Sequence, residues 1–513
     1  METFSLAQWQ EWAASYQRLP VHIVVSAPPL PPGENLSLPT NPDLLFLDST
    51  RNGRYSTLVL DGLHRLQGEP DQLTIETLAQ TNPQPAACLP GHPLQQLRAW
   101  LQQNRGPVLP ENLPPGNGGL FGLLCYDLVR VLEKLPEKNK PDPLFPLFTL
   151  LEARNLLVYD HAEGSLHSFH WTPTPPEKTR LPELFAQARQ EARNNLQLWP
   201  QLAPTPSVLE PSPAKPSPGE QTVFSFSQDK FEAAVRQVQE YIAAGDTYQV
   251  NLSLRREEPL RTTPEEIYRH LRNINPSPYM GFFRQPKWTL LCGSPELLVK
   301  RRDSHLETRP IAGTRPRGRK NREEDQHLGA ELIAHPKEKA EHLMLVDLLR
   351  NDLGRVCRYG TVEVPEFMTL ERYSHVQHIV SLVTGEIHPQ CDSFDALSAI
   401  FPGGTITGAP KVRTMQIIEE LEPVRRGPYT GSLGWIHTSG RDMEWNIIIR
   451  TLWSSDHKIH MQSGAGIVAD SDPTKEYQES LQKAKAAWAA VKEATDPLKL
   501  APHQRNSHHS VTL

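Results

Sequence analysis

The sequence predicts an α+β fold in which helices and mostly antiparallel strands are interspersed, without the regular strand–helix alternation of a doubly wound sheet. Three observations predict it. "LLFLDSTRNGRYSTLVLDG" (44–62) reads as two strands around an Asn-Gly turn, a strong short-range hairpin signal. Strand-like runs such as "TYQVNLSLRR", "WTLLCGSPELLVKR" and "GTVEVPEFMTL" recur through the second half. Helical patterns lie among them. In "DKFEAAVRQVQEYIAAGD", Phe231, Val235, Val238, Tyr241 and Ile242 share one face, and Gly245 marks a stop.

In chain order, residues 1–199 form an N-terminal region of short β-rich runs and proline-rich loops. Within it, "GGLFGLLCYDLVRVLEKLP" begins as a glycine-rich strand and passes into a helical pattern. Residues 200–221 are expected to be an extended linker, because seven prolines fall between 200 and 218. Residues 222–495 carry the remaining strands and the helices "KEKAEHLMLVDLLRNDLGRV", "VRTMQIIEELE" and "EYQESLQKAKAAWAAVKEA". The polar tail, 496–513, is expected to fray. No internal repeat is visible.

Composition narrows the function classes. The 513 residues are 38% apolar and 22% charged, with a net charge of −6. That charge argues against a nucleic-acid binder, whose affinity rests on a basic surface. Five cysteines, odd in number and without a CxxC pair, fit reduced thiols. The N-terminus lacks a secretory pattern, and no apolar run is long enough to cross a bilayer. The expectation is a cytoplasmic protein with no membrane partner.

Several patterns carry chemistry. Glu338 and Glu341 lie three apart on one predicted helix, and Glu476 and Glu479 repeat that spacing on another. Facing each other, the pairs would make an oxygen-rich site suited to Mg²⁺; otherwise they are solvated helix faces. His342 beside Glu341 invites a zinc reading, but "EKAEH" lacks the first histidine of such a motif. "FPGGTITGAPKVR" (401–413) places glycines before a helix start, and "QSGAGIVADSDP" (462–473) puts Gly464 and Gly466 in an expected tight bend. Both expose N–H groups suited to an anion, although neither is a Walker or dinucleotide motif. Arg450 is a charge within the strand-like "EWNIIIRTLW", where it faces either water or a carboxylate partner. His375 and His378 are read as core, surface or catalytic groups alike. "ETRPIAGTRPRGR" (307–319) concentrates four arginines around Ala312.

Together and in this order, "GSPELL", "RPIAGTRPRG", "KEKAEHLMLVDLLRNDLGRV", "RYSHVQHIVS", "FPGGTITGAPKVR", "IIIRTL" and "GAGIVADSDPTKEYQES" resemble the chorismate-utilising enzymes. These comprise component I of anthranilate synthase and of aminodeoxychorismate synthase, and the isochorismate and salicylate synthases. The resemblance is dense from about residue 222 to 495 and looser upstream. It implies a four-layer sandwich of two large sheets flanked by helices, with the active site in the cleft. It implies Mg²⁺ held by Glu341 and Glu479, with Glu338 and Glu476 as supporting ligands. Tyr429, Arg450 and the backbone of Gly464, Ala465 and Gly466 match positions holding a carboxylate of chorismate; Gly313, Thr314 and Lys483 match further substrate-side positions. Glu296 matches a general acid/base, and His378 and Thr405 match active-site positions.

"PGGTITGAPK" and "YTGSLGW" resemble the aminodeoxychorismate branch, which serves p-aminobenzoate and folate synthesis. Ala312 points the other way, because many members of that branch carry a lysine nucleophile there, whereas anthranilate synthases usually carry alanine. The favoured expectation is an alanine-bearing aminodeoxychorismate synthase, with anthranilate synthase component I as the alternative. No cysteine lies in a glutaminase nucleophile motif, so a separate glutamine amidotransferase subunit is expected to supply ammonia. "FLDSTRNGRYS" with "NPSPYMGFF" resembles a tryptophan pocket (Ser49, Pro278, Tyr279, Met280), in which Leu47, Asp48 and Ser49 depart from the usual "LLES" form. An inactive tryptophan-binding or subunit-interaction protein is the reading from a different class, and intact metal and acid residues speak against it. A metal-dependent hydrolase is disfavoured by the missing histidine spacings.

Overall fold

A computed structural model of the chain describes residues 1–31, 35–49, 53–78, 85–142, 144–203, 222–318, 322–372 and 376–496. Among the described residues, 22 strands join into one hydrogen-bonded network. The two longest, Tyr55–Glu69 and Phe148–Asp160, organise it. They pair from Tyr55 opposite Asp160 to Gly68 opposite Phe148, with register shifts around Asp61 and Gly62. On one side of those shifts, Phe46 pairs with Leu58 and again with Phe282, and the ladder continues through Trp288–Ser294, Leu452–Ser455 and Lys458–Ile467 to Gln249–Pro259. On the other side, Phe121 pairs with Leu151 and with Trp435, and the ladder continues through Met443–Asn446, Leu297–Arg302 and His305–Arg309 to Val376–Glu386. All of these pairings are antiparallel. Two large sheets thus share one long antiparallel strand pair, in agreement with the α+β expectation.

The hairpin predicted at 44–62 forms, with strands Leu44–Asp48 and Tyr55–Glu69; its Asn-Gly step lies at the edge of the undescribed residues 50–52. The predicted helical face also forms: helix Gln228–Ala243 buries Phe231, Val235 and Val238, and Gly245 follows with φ of 82°. Apolar clusters do not divide at the proline-rich segment. Leu66, Leu124 and Phe148 pack with Leu298, Phe401 and Trp445; Phe46 and Tyr159 pack with Phe282, Leu452 and Trp488. Strands from before and after residue 204 therefore build common cores, each fully buried large side chain contributing roughly 1.5–3 kcal/mol. The linker expected from residue 200 is corrected at its start. Pro200–Leu202 form a 3₁₀ turn whose Leu202 is buried, and residues 204–221 and 497–513 lie outside the described structure.

A buried ion pair fixes the region between the sheets. The Arg426 guanidinium donates to Glu422 Oε1 at 2.7 Å and Oε2 at 3.0 Å, to the Ile406 carbonyl at 2.9 Å and to the Asn251 carbonyl at 2.7 Å. Glu422 also accepts from the Ser253 N–H at 2.9 Å and its hydroxyl at 2.7 Å. Removing one partner leaves the other charge buried and unpaired. Arg426→Leu is therefore expected to cost roughly 3–5 kcal/mol, read as a lowered urea midpoint; a cost below 1 kcal/mol would show that the pair does not anchor this region.

Candidate active site

The floor of the cleft is a two-stranded ribbon. Gln249–Pro259 runs antiparallel to Lys458–Ile467, with Asn251 opposite Gly466 and Ser253 opposite Gly464. Strand alternation sends Val250, Leu252, Leu254, Ala465 and Ile467 into an apolar cluster under helix Gln228–Ala243. Gln249, Asn251, Gly464 and Gly466 occupy the opposite face. The glycines give the carboxamides room. A Cβ on Gly464 would lie 2.8 Å from Asn251 Oδ1, and one on Gly466 2.5 Å from Gln249 Nε2. The tight bend expected at 462–473 is thus corrected: Gly464 to Gly466 lie within a strand, because ladder hydrogen bonds to 251–253 satisfy their backbone. Ala465 turns its methyl into the core, so any contribution it makes to the cleft comes from its main chain.

Two acidic helices stand beside this floor. Helix Pro336–Gly354 buries His342, Leu345, Val346, Leu349 and Leu353 at helical spacing, which leaves Glu338 and Glu341 on another face. Helix Pro473–Ala494 starts on Asp472, whose carboxylate accepts from the Lys475 N–H at 2.9 Å. Each carboxylate takes a partner from the chain itself. Glu341 Oε1 accepts from Gln249 Nε2 at 3.1 Å, Glu476 Oε1 from the Ser471 hydroxyl at 2.7 Å, Glu338 Oε1 from Arg315 Nη1 at 3.3 Å, and Glu479 Oε1 from Lys483 Nζ at 2.9 Å. Burial pushes the Glu341 and Glu476 carboxyls up, and their helix-mates Glu338 and Glu479 push them further; Lys483 and Lys337 act on both in the opposite sense. The charges of Lys337 and Lys483 act on carboxylates of both helices. They are not a finished cage: among the described residues no three ligating side chains converge. His342, the candidate zinc ligand, turns away and bonds the Ser381 hydroxyl through Nε2 at 2.6 Å, buried and neutral with its pKa pushed down to about 4.

Across the cleft sits Glu296, just past strand Trp288–Ser294 and 5% exposed. Burial pushes its carboxyl up to about 7, against the Thr405 hydroxyl, the Arg450 charge, the Ile311 N–H and Lys483, all of which pull it down. Neither the hydroxyl nor the amide completes a bond to Oε1, for Glu296 Oε1 and Thr405 Oγ1 are both buried without a partner. Arg450 was expected in a strand. It lies instead in the break between Met443–Asn446 and Leu452–Ser455 with φ of 52°, and this turn aims its charge at Glu296 and His378. His378 donates from Nδ1 to the Gly313 carbonyl at 3.2 Å and stays neutral, its pKa lowered to about 4 by burial and then by Arg450. Thr314 stands opposite His378 in the ladder, and Ala312 is buried opposite Ile379. Tyr429 is buried with the Arg426 guanidinium 5.5 Å from its ring centre, and burial raises its phenol. His375 lies outside the described residues.

Three of the four arginines of the arginine-rich stretch pair within the protein, and Arg319 lies outside the described residues. Arg309 pairs with Glu366 at 3.1 Å and Glu371 at 2.5 Å, Arg315 with Glu338, and Arg317 with Asp325 at 2.7 Å. It braces the strand that carries Ala312 and Gly313. A cavity of about 1180 Å³ is lined by Ser49, Pro278, Tyr279 and Met280 and by none of Glu296, Glu338, Glu341, Glu476 and Glu479. Asp48 at its edge is buried against Arg272 at 2.5 Å. Sequence reasoning missed Gln249, Asn251, Ser471 and Arg426. The first two were signalled by "QVNLSL", where polar and apolar residues alternate with the period of a strand.

A desolvated carboxyl, a neutral histidine, a partly buried arginine and two acidic helix faces make a set of groups suited to an anionic substrate. The chain belongs to the chorismate-binding enzyme family, whose profile matches residues 49–489. It is 44% identical over 459 residues to aminodeoxychorismate synthase component 1 of Bacillus subtilis, covering 89% of this chain and 93% of that one. It is 42% identical over 456 residues to anthranilate synthase component 1 of Synechocystis, covering 86% and 88%. Among solved structures, it resembles anthranilate synthase component I of Streptococcus pneumoniae with a TM-score of 0.69 and 30% identity, over 85% of this chain and 92% of that one. The menaquinone-specific isochorismate synthase of Escherichia coli has the same fold, with a TM-score of 0.67 at 18% identity.

The Glu296 shift has a stability consequence of definite sign. Its folded value, about 7, lies above the ordinary 4.5, so the folded chain binds this proton more tightly. The resulting stabilisation is complete below pH 4.5 and disappears as pH rises through 7. Glu296→Gln removes this loss. Its unfolding free energy should exceed that of the natural protein by up to roughly 3 kcal/mol at pH 8 and match it near pH 4; equal denaturation midpoints at pH 8 would contradict the buried neutral carboxyl.

Proposed function

We propose that this protein is the chorismate-aminating component I of an aminodeoxychorismate synthase, which replaces the ring hydroxyl of chorismate by ammonia to give 4-amino-4-deoxychorismate for p-aminobenzoate and folate synthesis. The observation that carries this reading is Glu296, a carboxyl held protonated near neutral pH beside Arg450, in a chain 44% identical to an aminodeoxychorismate synthase component 1. Glu296 protonates the departing hydroxyl. Arg450, Tyr429 and the main chain at Gly464 to Gly466 receive a substrate carboxylate, with His378, Thr405, Gly313 and Thr314 lining the reacting ring and Lys483 the metal end.

The carboxylates suit Mg²⁺: they are hard oxygen donors, and Glu341 and Glu476 are held desolvated next to like charges, an arrangement that a divalent cation relieves. Glu341 and Glu479 would hold it, with Glu338 and Glu476 in support. When bound, the ion neutralises the ring carboxylate and favours loss of the hydroxyl. Ala312 excludes a covalent lysine adduct at that position, so ammonia itself must reach the ring. A glutamine amidotransferase subunit supplies that ammonia, and the free thiols support a reducing, cytoplasmic setting.

Ala312 and the 42% identity to an anthranilate synthase component 1 favour the second reading, anthranilate formation. Incubating the protein with chorismate, Mg²⁺ and ammonium is expected to yield 4-amino-4-deoxychorismate; anthranilate formed directly, with no lyase added, would overturn the choice. Glu341→Gln or Glu479→Gln should abolish Mg²⁺-dependent turnover, and natural rates in either would remove the metal assignment. Glutamine should support turnover only after a partner subunit is added. The cavity at Ser49 and Pro278 to Met280 supports a tryptophan site, which calorimetric titration with tryptophan tests.

A further inference from the structure

Directly after Glu341 on helix Pro336–Gly354 comes a polar side chain that the proposed mechanism does not use. His342 is fully buried, and its Nε2 lies 2.6 Å from the hydroxyl of Ser381, itself fully buried on strand Val376–Glu386. Its Nδ1 is buried with no hydrogen bond. The surroundings of this pair are apolar: Val346, Leu349 and Leu353 of the helix share one cluster with Val383 of the strand. Another apolar side chain in place of His342 would avoid the unmet nitrogen.

The serine is held from its other side. Its hydroxyl accepts the Met368 N–H at 2.9 Å, and its own N–H donates to the Pro310 carbonyl at 3.3 Å. Met368 reaches it from strand Glu363–Arg372 with φ of 52°, at a register shift between Glu366 and Thr369. A methionine in left-handed backbone is strained, so the fold holds that N–H on the serine at a cost. Strand Val376–Glu386 carries His378 three residues before Ser381, and Pro310 leads into strand Ile311–Pro316, which carries Ala312, Gly313 and Thr314. His342 therefore ties the helix of Glu338 and Glu341 to the strands that border the cleft. The fit between them is tight: a Cβ on Gly313 would lie 2.8 Å from Glu338 Oε2.

Direction is what such a tie supplies. Dispersion among Val346, Leu349 and Val383 holds the helix on the strands but does little to stop it turning about its axis. A hydrogen bond favours one orientation. A carboxylate on the helix surface stands about 5–6 Å from the axis, so a rotation of about 20° carries it about 2 Å, as far as a whole Mg–O bond. We propose that His342 is a positioning residue, whose bond to Ser381 fixes the rotation of the acidic helix and thereby the place at which Glu341 meets a divalent cation. The role rests on the metal reading given above and is separable from it.

The test uses the full chain titrated with Mn²⁺, a hard cation suited to oxygen ligands, once alone and once with chorismate but no ammonium, with binding read by electron paramagnetic resonance. His342→Leu should weaken Mn²⁺ binding about tenfold, the lower end of what loss of a partner behind a metal ligand costs, in a chain that still unfolds cooperatively in urea. Ser381→Ala cuts the same bond from the other side and covers the case in which the leucine variant does not fold; it should weaken binding to a similar degree. Because both remove one bond, the double variant should bind within about twofold of either single variant. Natural Mn²⁺ affinity in a folded single variant, with or without a lower urea midpoint, overturns the positioning role alone, as does a double variant whose losses multiply. A natural protein that binds no Mn²⁺ in either titration overturns the metal reading and this role together.

Discussion

The buried pair between Arg426 and Glu422 is the constraint on which the cleft depends. One guanidinium bonds the floor strand at Asn251, the glycine-rich turn at Ile406 and the hydroxyl of Thr430, and stacks over Tyr429. Its carboxylate partner grips Ser253 two residues along the same strand. The floor, the Thr405 turn and Tyr429 come from distant parts of the chain. A rigid, fully satisfied charge network gives them one relative position. An apolar contact of the same size would add stability but would not fix direction, because dispersion has no preferred angle and a bidentate guanidinium does.

Around that anchor the site separates charges by environment. Glu296 is pushed towards its neutral form by burial, whereas Glu479 stays half-exposed in contact with Lys483. Glu341 and Glu476 lie between these extremes, desolvated and facing like charge. Depth of burial thus sorts carboxylic side chains of one chemical type into different protonation environments. His378 and His342 show the same sorting. Both are neutral, but one bonds the strand that borders the cleft and the other bonds Ser381 behind the acidic helix.

Much was legible in the sequence because it was written as local periodicity. The Glu-x-x-Glu spacings set two carboxylates on each helical face, and the apolar repeat from Phe231 to Val238 set a buried stripe. The motif order from "GSPELL" to "GAGIVADSDPTKEYQES" placed the chain in its family. The misreadings were of residues whose state depends on a distant partner. Gly464 and Gly466 looked like turn formers, yet they are strand residues that make room for carboxamides 215 positions away in the ladder, Asn251 opposite Gly466. Arg450 looked like part of a strand but sits in a left-handed break. Arg309, Arg315 and Arg317 near Ala312 are paired with Glu366, Glu371, Glu338 and Asp325, partners that their own motif does not contain.

By itself the sequence determined the α+β class, the acidic helices and the family, since each depends on residues close together in the chain. Only the tertiary structure decided which groups are dry, which charges are paired and which acceptors stand unmet. Those properties belong to the space between elements: desolvation of Glu296 and isolation of the Thr405 hydroxyl arise when sheet, turn and helix close over them, and no window of neighbouring residues contains that information.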